Sequence, residues 1–198
     1  MGDNGPMRNS AWVRNTLVLA VTTAVVLGGV WLAQSVRSGG PAQSGRAQTQ
    51  VSGQGVSLAA PAVGDKAPTF TATTLEGTPI DTAKLDGKPL WLLFNATWCT
   101  DCRVEAPDIQ AVHAAHGDKV RIVAVHVNDD PDTVKKWVST LGLGYTHVVD
   151  KDGVISRAWG VDGIPAHWFV GADGVIVDSR VGALSPAQME RKVAELLK

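Results

Sequence analysis

Leu90-Trp91-Leu92-Leu93-Phe94-Asn95 is an apolar run without alternation. Successive side chains of a strand point to opposite faces, so this run suits the centre of a sheet that is buried on both sides. Its surroundings alternate between strand and helix patterns. Residues 69–74, then Glu76-Gly77 and Pro79-Ile80, read as a hairpin. A helix is expected to start at Cys99 or Thr100 and to run to about His116, with Pro107 bending it by removing a backbone donor. Residues 120–127 form a second buried strand, and Asp130-Pro131 opens a helix to about Leu141 with an N-cap and a proline at the first position. A short strand at 146–149 and a helical turn at 154–159 follow. Strands at 167–170 and 175–181 flank the hairpin signal Ala172-Asp173-Gly174, and Ser185-Pro186-Ala187-Gln188 is a capping box that starts a last helix. No internal repeat is visible. The pattern predicts an α/β domain with a mixed central sheet flanked by helices and a β-hairpin extension at its N-terminal side.

Charge and cysteine count remove several classes. Eighteen Lys and Arg against nineteen Asp and Glu leave a net charge of −1, no field to recruit nucleic acid. The 19% charged fraction is too low and too balanced for disorder throughout. Two cysteines exclude a secreted scaffold stapled by several bridges.

Residues 16–35 are twenty positions without a charge, long enough to cross a hydrocarbon layer of ~30 Å as a helix. Trp12 and Trp31 fall near its ends, where indoles favour the interface. A single-pass anchor is the expected reading, against a cleaved signal peptide or a core helix. A signal core is usually shorter, and Gly40-Pro41-Ala42 places proline at the most obvious processing site. Arg8 and Arg14 before the segment against Arg37 and Arg46 after it leave the positive-inside count level, and the start-proximal pair puts residues 1–15 in the cytoplasm. Residues 36–61 have the Gly, Ser, Ala and Gln composition of a flexible linker. Four basic side chains and one acidic one precede residue 62, so the domain at 62–198 carries −4 and all five His.

Its chemistry concentrates in Trp98-Cys99-Thr100-Asp101-Cys102. A strand that turns into a helix at the first Cys puts that sulfur at a helix N-terminus, where free amide groups and the macrodipole favour the thiolate. Cys99 is then the nucleophile. Cys102, one turn on and more enclosed, resolves the mixed disulfide. Two bland readings stand beside this one. Half of a zinc site would need two further ligands and has no second C-x-x-C, and a structural bridge across so short a loop stabilises little.

The run Trp98-Cys99-Thr100-Asp101-Cys102-Arg103-Val104-Glu105-Ala106-Pro107, followed later by Val161-Asp162-Gly163-Ile164-Pro165, resembles the thioredoxin superfamily, and within it the membrane-anchored, extracytoplasmic TlpA/ResA/DsbE-like redoxins. The resemblance covers roughly residues 63–198. It implies a thioredoxin fold preceded by one transmembrane helix, with Pro165 cis opposite the cysteine pair. It also implies that the Ile164 backbone pairs with an extended client segment, with Trp98 beside them on the binding surface. Thioredoxin carries an acid six residues before its first active-site Cys, where this chain has Leu93. Glu105 lies about 60° around the helix from Cys102 and about 240° from Cys99, and resembles the replacement proton acceptor of ResA-like members. The alternative for Glu105 is a solvated helix glutamate.

The implied activity is thiol:disulfide exchange at the outer face of the cell membrane, in the periplasm or an equivalent extracytoplasmic space. Its partners would be client protein dithiols or disulfides and a membrane thiol-reductant donor. Cytochrome c maturation and copper-site assembly are the candidate settings. No organic cofactor is implied. Asp101 stands where many relatives have proline and opposes the Cys99 thiolate. Exported compartments already hold oxidants near about −120 mV, so a tethered member is expected to act as a reductant, at roughly −270 to −200 mV. The rival is a copper-binding metallochaperone-like module using both cysteines and one of His126, His147 or His167. Related copper chaperones space their cysteines one residue wider. A peroxiredoxin needs Thr or Ser three residues before its reactive Cys and Pro seven before; Ala96 and Leu92 hold those positions, which disfavours peroxidase chemistry.

Overall fold

In the computed structural model, which describes residues 50–52, 60–84 and 86–198, the elements run β1 (Gln50–Ser52), β2 (Thr69–Thr73), β3 (Pro79–Asp81), β4 (Leu90–Asn95), α1 (Thr100–His116), β5 (Arg121–Val127), α2 (Pro131–Leu141), β6 (Thr146–Asp150), α3 (Val154–Ala158), β7 (Ala166–Val170), β8 (Ile176–Val181) and α4 (Pro186–Leu196). All of them belong to one compact unit, Ala47–Lys198. The expected anchor at 16–35, the cytoplasmic stretch at 1–15 and most of the linker at 36–61 lie outside the described residues. Among the described residues no helix is long and apolar enough to cross a membrane.

The main sheet has the order β6-β5-β4-β7-β8, with β4 at its centre. β4 pairs parallel to β5 and antiparallel to β7, so the sheet is mixed. Its lack of alternation follows from cover on both sides. Leu90, Leu92 and Phe94 join Phe70, Trp159 and Trp168 in one core. Trp91 and Leu93 join Ala106 and Ile109 of α1 and Met189 and Val193 of α4 in the other. All six β4 residues are buried, and truncating Phe94 to Ala would cost on the order of 3–5 kcal/mol. The arrangement is the thioredoxin fold, with helices on both faces of a mixed sheet and the hairpin added at the N-terminal side.

Local chemistry sets the helix ends. The Asp130 side chain accepts from the N–H groups of Asp132 and Thr133, each at 3.1 Å, and Gly142 closes α2 at φ 63°, a left-handed conformation that glycine adopts without a side-chain clash. Ser185 donates from its N–H to Gln188 Oε1 at 2.8 Å, the reciprocal half of the expected box. Pro107 lies inside α1 and lacks the N–H that would reach back to the Arg103 carbonyl.

The expected hairpin forms from β2 and β3, and β1 adds to its other edge with Gln50 opposite Thr71 and Ser52 opposite Thr69. Those three residues fall inside the stretch read as linker. A backbone ladder is indifferent to side-chain periodicity, so composition carried no sign of it. A bridge from Thr74 to Val148, and the Leu75 N–H donating to the His147 carbonyl at 3.0 Å, tie the hairpin to the edge strand β6.

Candidate active site

Strand β4 delivers the chain to the cysteine pair, and the turn between them is clamped. The Asp129 carboxylate, just after β5, accepts from the Thr97 N–H at 2.6 Å, the Thr97 hydroxyl at 2.9 Å and the Asp130 N–H at 3.0 Å. Cys99 is the N-cap of α1, and its sulfur accepts from the Cys102 N–H at 3.2 Å. The two cysteines are joined in a disulfide with Cα atoms 5.3 Å apart. Cys102 is the more enclosed, 1% exposed against 8% for Cys99. The expected exposure order therefore holds, although the margin is small.

The Ile164–Pro165 peptide is cis, and the Ile164 carbonyl oxygen lies 3.9 Å from Cys99 Sγ. Ile164 packs on Ala96, Cys99 and Cys102, while its N–H has no hydrogen-bond partner among the described residues. Trp98 is 62% exposed beside the disulfide, and an apolar groove with Val104, Trp137 and Leu141 on its walls and Arg103 and Lys136 at its rim opens next to Thr100. Two other clefts, beside Lys66 and beside Thr71, lie toward the far end of β4.

Glu105 is not a solvated glutamate. Only 2% exposed, it accepts from the Leu184 N–H through Oε2 at 3.2 Å, and its Oε1 lies 3.5 Å from His167 Nε2. His167 stands opposite Leu93 in the β4–β7 register. The place where thioredoxin has its acid is thus faced by a histidine that reaches Glu105. Trp91 Nε1 donates to the other ring nitrogen, Nδ1, at 3.3 Å. Burial, and after it the charge of Glu105, push the Tyr145 hydroxyl upward, well out of the neutral range.

The remaining strand histidines form a second buried group. His126 Nε2 and His147 Nδ1 are 3.0 Å apart. Burial, then the charge of His147, lowers His126 from 6.5 to about 3. Burial leads again at His147, with Glu76 opposing and His113 adding, and lowers it to about 4. Both ring nitrogens of His167 are directed at Glu105 and Trp91, and no group of three or more His, Cys, Asp or Glu among the described residues is arranged to hold a metal.

Of the residues singled out from the sequence, the fold packs Ile164, next to cis Pro165, on Cys99 and Cys102, leaves Trp98 exposed before the pair, and buries Glu105 three residues beyond Cys102 on α1. Asp129, Trp91 and Tyr145 were not singled out, and His167 was named only as a strand histidine beneath the site and a candidate ligand of the copper-binding rival. The one available signal was His167 two residues beyond Pro165, which a strand brings to the inner face.

Comparison with known proteins agrees with this geometry. The model of the AhpC/TSA family matches residues 63–179. The soluble secreted antigen MPT53 of Mycobacterium tuberculosis is 39% identical over 129 residues, 64% of this chain and 74% of that protein. The thiol-disulfide oxidoreductase ResA of Bacillus thuringiensis is 32% identical over 129 residues, 65% of this chain and 75% of the relative. Among solved structures, a thioredoxin-family thiol:disulfide interchange protein from Chlorobium tepidum superposes with a TM-score of 0.64 at 32% identity, over 70% of this chain and 100% of that one.

Proposed function

From the premise that this chain belongs to the AhpC/TSA family and is a thioredoxin-like thiol:disulfide oxidoreductase, we propose that it is a membrane-tethered, extracytoplasmic reductant of specific client disulfides. The observation that carries the reading is Cys99 at the N-cap of α1 with Cys102 buried one turn behind it. The Cys99 thiolate attacks a client disulfide, forming a mixed disulfide and releasing one client sulfur, which takes up a proton. Cys102 gives its proton to Glu105 and attacks the Cys99 sulfur. The second client sulfur leaves with the electron pair, and the enzyme disulfide forms. Two electrons have moved to the client, and a membrane thiol reductant restores the dithiol.

The Ile164 N–H, without a partner among the described residues, supports backbone pairing with an extended client, with Pro165 shaping that turn and exposed Trp98 flanking it. Clients of this chemistry include the cysteine pairs of apocytochromes c and of copper sites. Placement outside the cytoplasm is supported by the secreted relative and by the uncharged segment at 16–35, which serves as the anchor, with the residues between it and β1 as its linker. Ala96 and Leu92, where a peroxidatic site needs Thr or Ser and Pro, speak against peroxide as substrate.

Trapping in whole cells tests both parts. Cys102→Ser should accumulate mixed disulfides through Cys99, in the membrane fraction and within reach of a membrane-impermeant thiol label, whereas Cys99→Ser should accumulate none. Equal trapping by both variants would overturn the assigned roles. Adducts confined to the cytosol would overturn the location.

A further inference from the structure

His167 lies wholly inside the protein on β7 and takes no part in the exchange steps above. Its Nδ1 is 3.3 Å from Trp91 Nε1. An indole N–H can only donate, so Nδ1 is the acceptor and the imidazole proton sits on Nε2. That Nε2–H faces Glu105 Oε1 at 3.5 Å, and neither atom has another partner among the described residues. A contraction of about half an ångström makes this a full hydrogen bond. Glu105 Oε2 already accepts from the Leu184 N–H. Both carboxylate oxygens therefore face donors.

We propose that His167, its tautomer set by Trp91, is the positioning residue that keeps Glu105 a proton acceptor for Cys102, an inference that rests on the role given to Glu105 above. His167 itself takes no proton in this arrangement. The nitrogen nearest Glu105 already carries one, and the lone pair of the other is turned to Trp91. As the Cys102 S–H breaks and its sulfur bonds to Cys99, the proton stops at Glu105, and it returns the same way when the disulfide is reduced. The other titratable groups around the pair are few. Cys102 shares α1 with Glu105, and Tyr145 precedes β6 with its hydroxyl held neutral. On β8, Arg180 is the exposed register partner of His167, and Asp178 is paired with Lys192 of α4.

The test is single-turnover oxidation of the reduced full-length chain by a peptide carrying one disulfide, from pH 5 to 9, with the mixed disulfide quantified after acid quench so that resolution is read apart from first attack. His167→Leu should displace the acid limb of the resolution rate by about one pH unit toward higher pH, a loss of up to about 10-fold on that limb and little on the plateau above it. His167→Gln, whose amide N–H can replace the donor, should restore most of the parental profile. Trp91→Phe, which frees the other tautomer, should shift it part of the way. In a Glu105→Gln background, His167→Leu should slow resolution no further. A parental pH profile in His167→Leu, or equal slowing with and without Glu105, would reduce His167 to a space-filling role. Should His167→Leu fail to fold, His167→Gln and Trp91→Phe decide, and parental profiles in both would overturn the proposal. Glu105→Gln indistinguishable from the parent would instead remove the role of Glu105 and this inference with it.

Discussion

Two buried histidine groups sit in this sheet and differ in what they face. His167 faces a carboxylate and takes its tautomer from an indole. His126 and His147 face each other, so their hydrogen bond needs at least one neutral ring, and burial opposes the charging of either. Burial is complete at all three. The partner, not the depth, separates a group that can serve the cysteine chemistry from one whose charging the fold resists.

The largest effect that distinguishes them is acid lability. His126 and His147 are lowered to about 3 and about 4 in the folded chain, while the unfolded chain protonates near 6.5. The unfolded state therefore binds more protons as the pH falls below 6.5, and folding stability, full above that value, declines toward pH 4. The slope is at most about 1.4 kcal/mol per pH unit for each histidine. Urea denaturation of the parent and of the double variant His126→Leu, His147→Leu at pH 7, 5.5 and 4.5 measures it. The variant should lose the steep segment whatever its stability at pH 7, and an undiminished slope would place the lability elsewhere.

A smaller effect is expected on the other side of the comparison. Glu105→Leu leaves the Leu184 N–H and the His167 Nε2–H without an acceptor and should cost about 2–3 kcal/mol. Glu105→Gln keeps one of the two acceptors and should cost about 1–2 kcal/mol, while still slowing Cys102 resolution. Denaturation midpoints beside single-turnover rates separate the two. If stability and rate fell together in both variants, the distinction between a working group and a structural one would fail.

The smallest change in stability belongs to the exposed rim. Trp98→Ala should alter it by less than about 0.5 kcal/mol, because most of the ring already faces solvent. The same variant should slow the first attack on a client peptide more than on a small disulfide such as oxidised glutathione. Equal effects on both substrates would remove Trp98 from client recognition.

Much of the fold was legible along the chain. The helix expected from Cys99 or Thr100 to about His116 spans Thr100–His116, and the one expected after Asp130 spans Pro131–Leu141. The central strand matches its apolar run, Leu90–Asn95. These features depend on residues a turn or two apart, where caps, proline positions and the periodicity of apolar side chains act. Cys99 at a helix start and Cys102 one turn on are legible for the same reason, and Ile164-Pro165 was carried by its resemblance to a family motif.

What tertiary structure alone decided lies across the sheet. The approach of His167 to Glu105 depends on the antiparallel register that sets His167 opposite Leu93, and its Trp91 partner is 76 residues away in sequence. A slip of one residue would turn His167 to the other face. Asp129 reaches Thr97 from 32 residues away because β4 and β5 end side by side. His126 and His147 meet through the β5–β6 ladder, and Gln50–Ser52 pairs along an open strand edge that asks nothing of its side chains. Local sequence sets which segments are strands and helices; the pairing register sets which buried polar groups meet, because each partner's position depends on every residue of the intervening crossover rather than on its own neighbours.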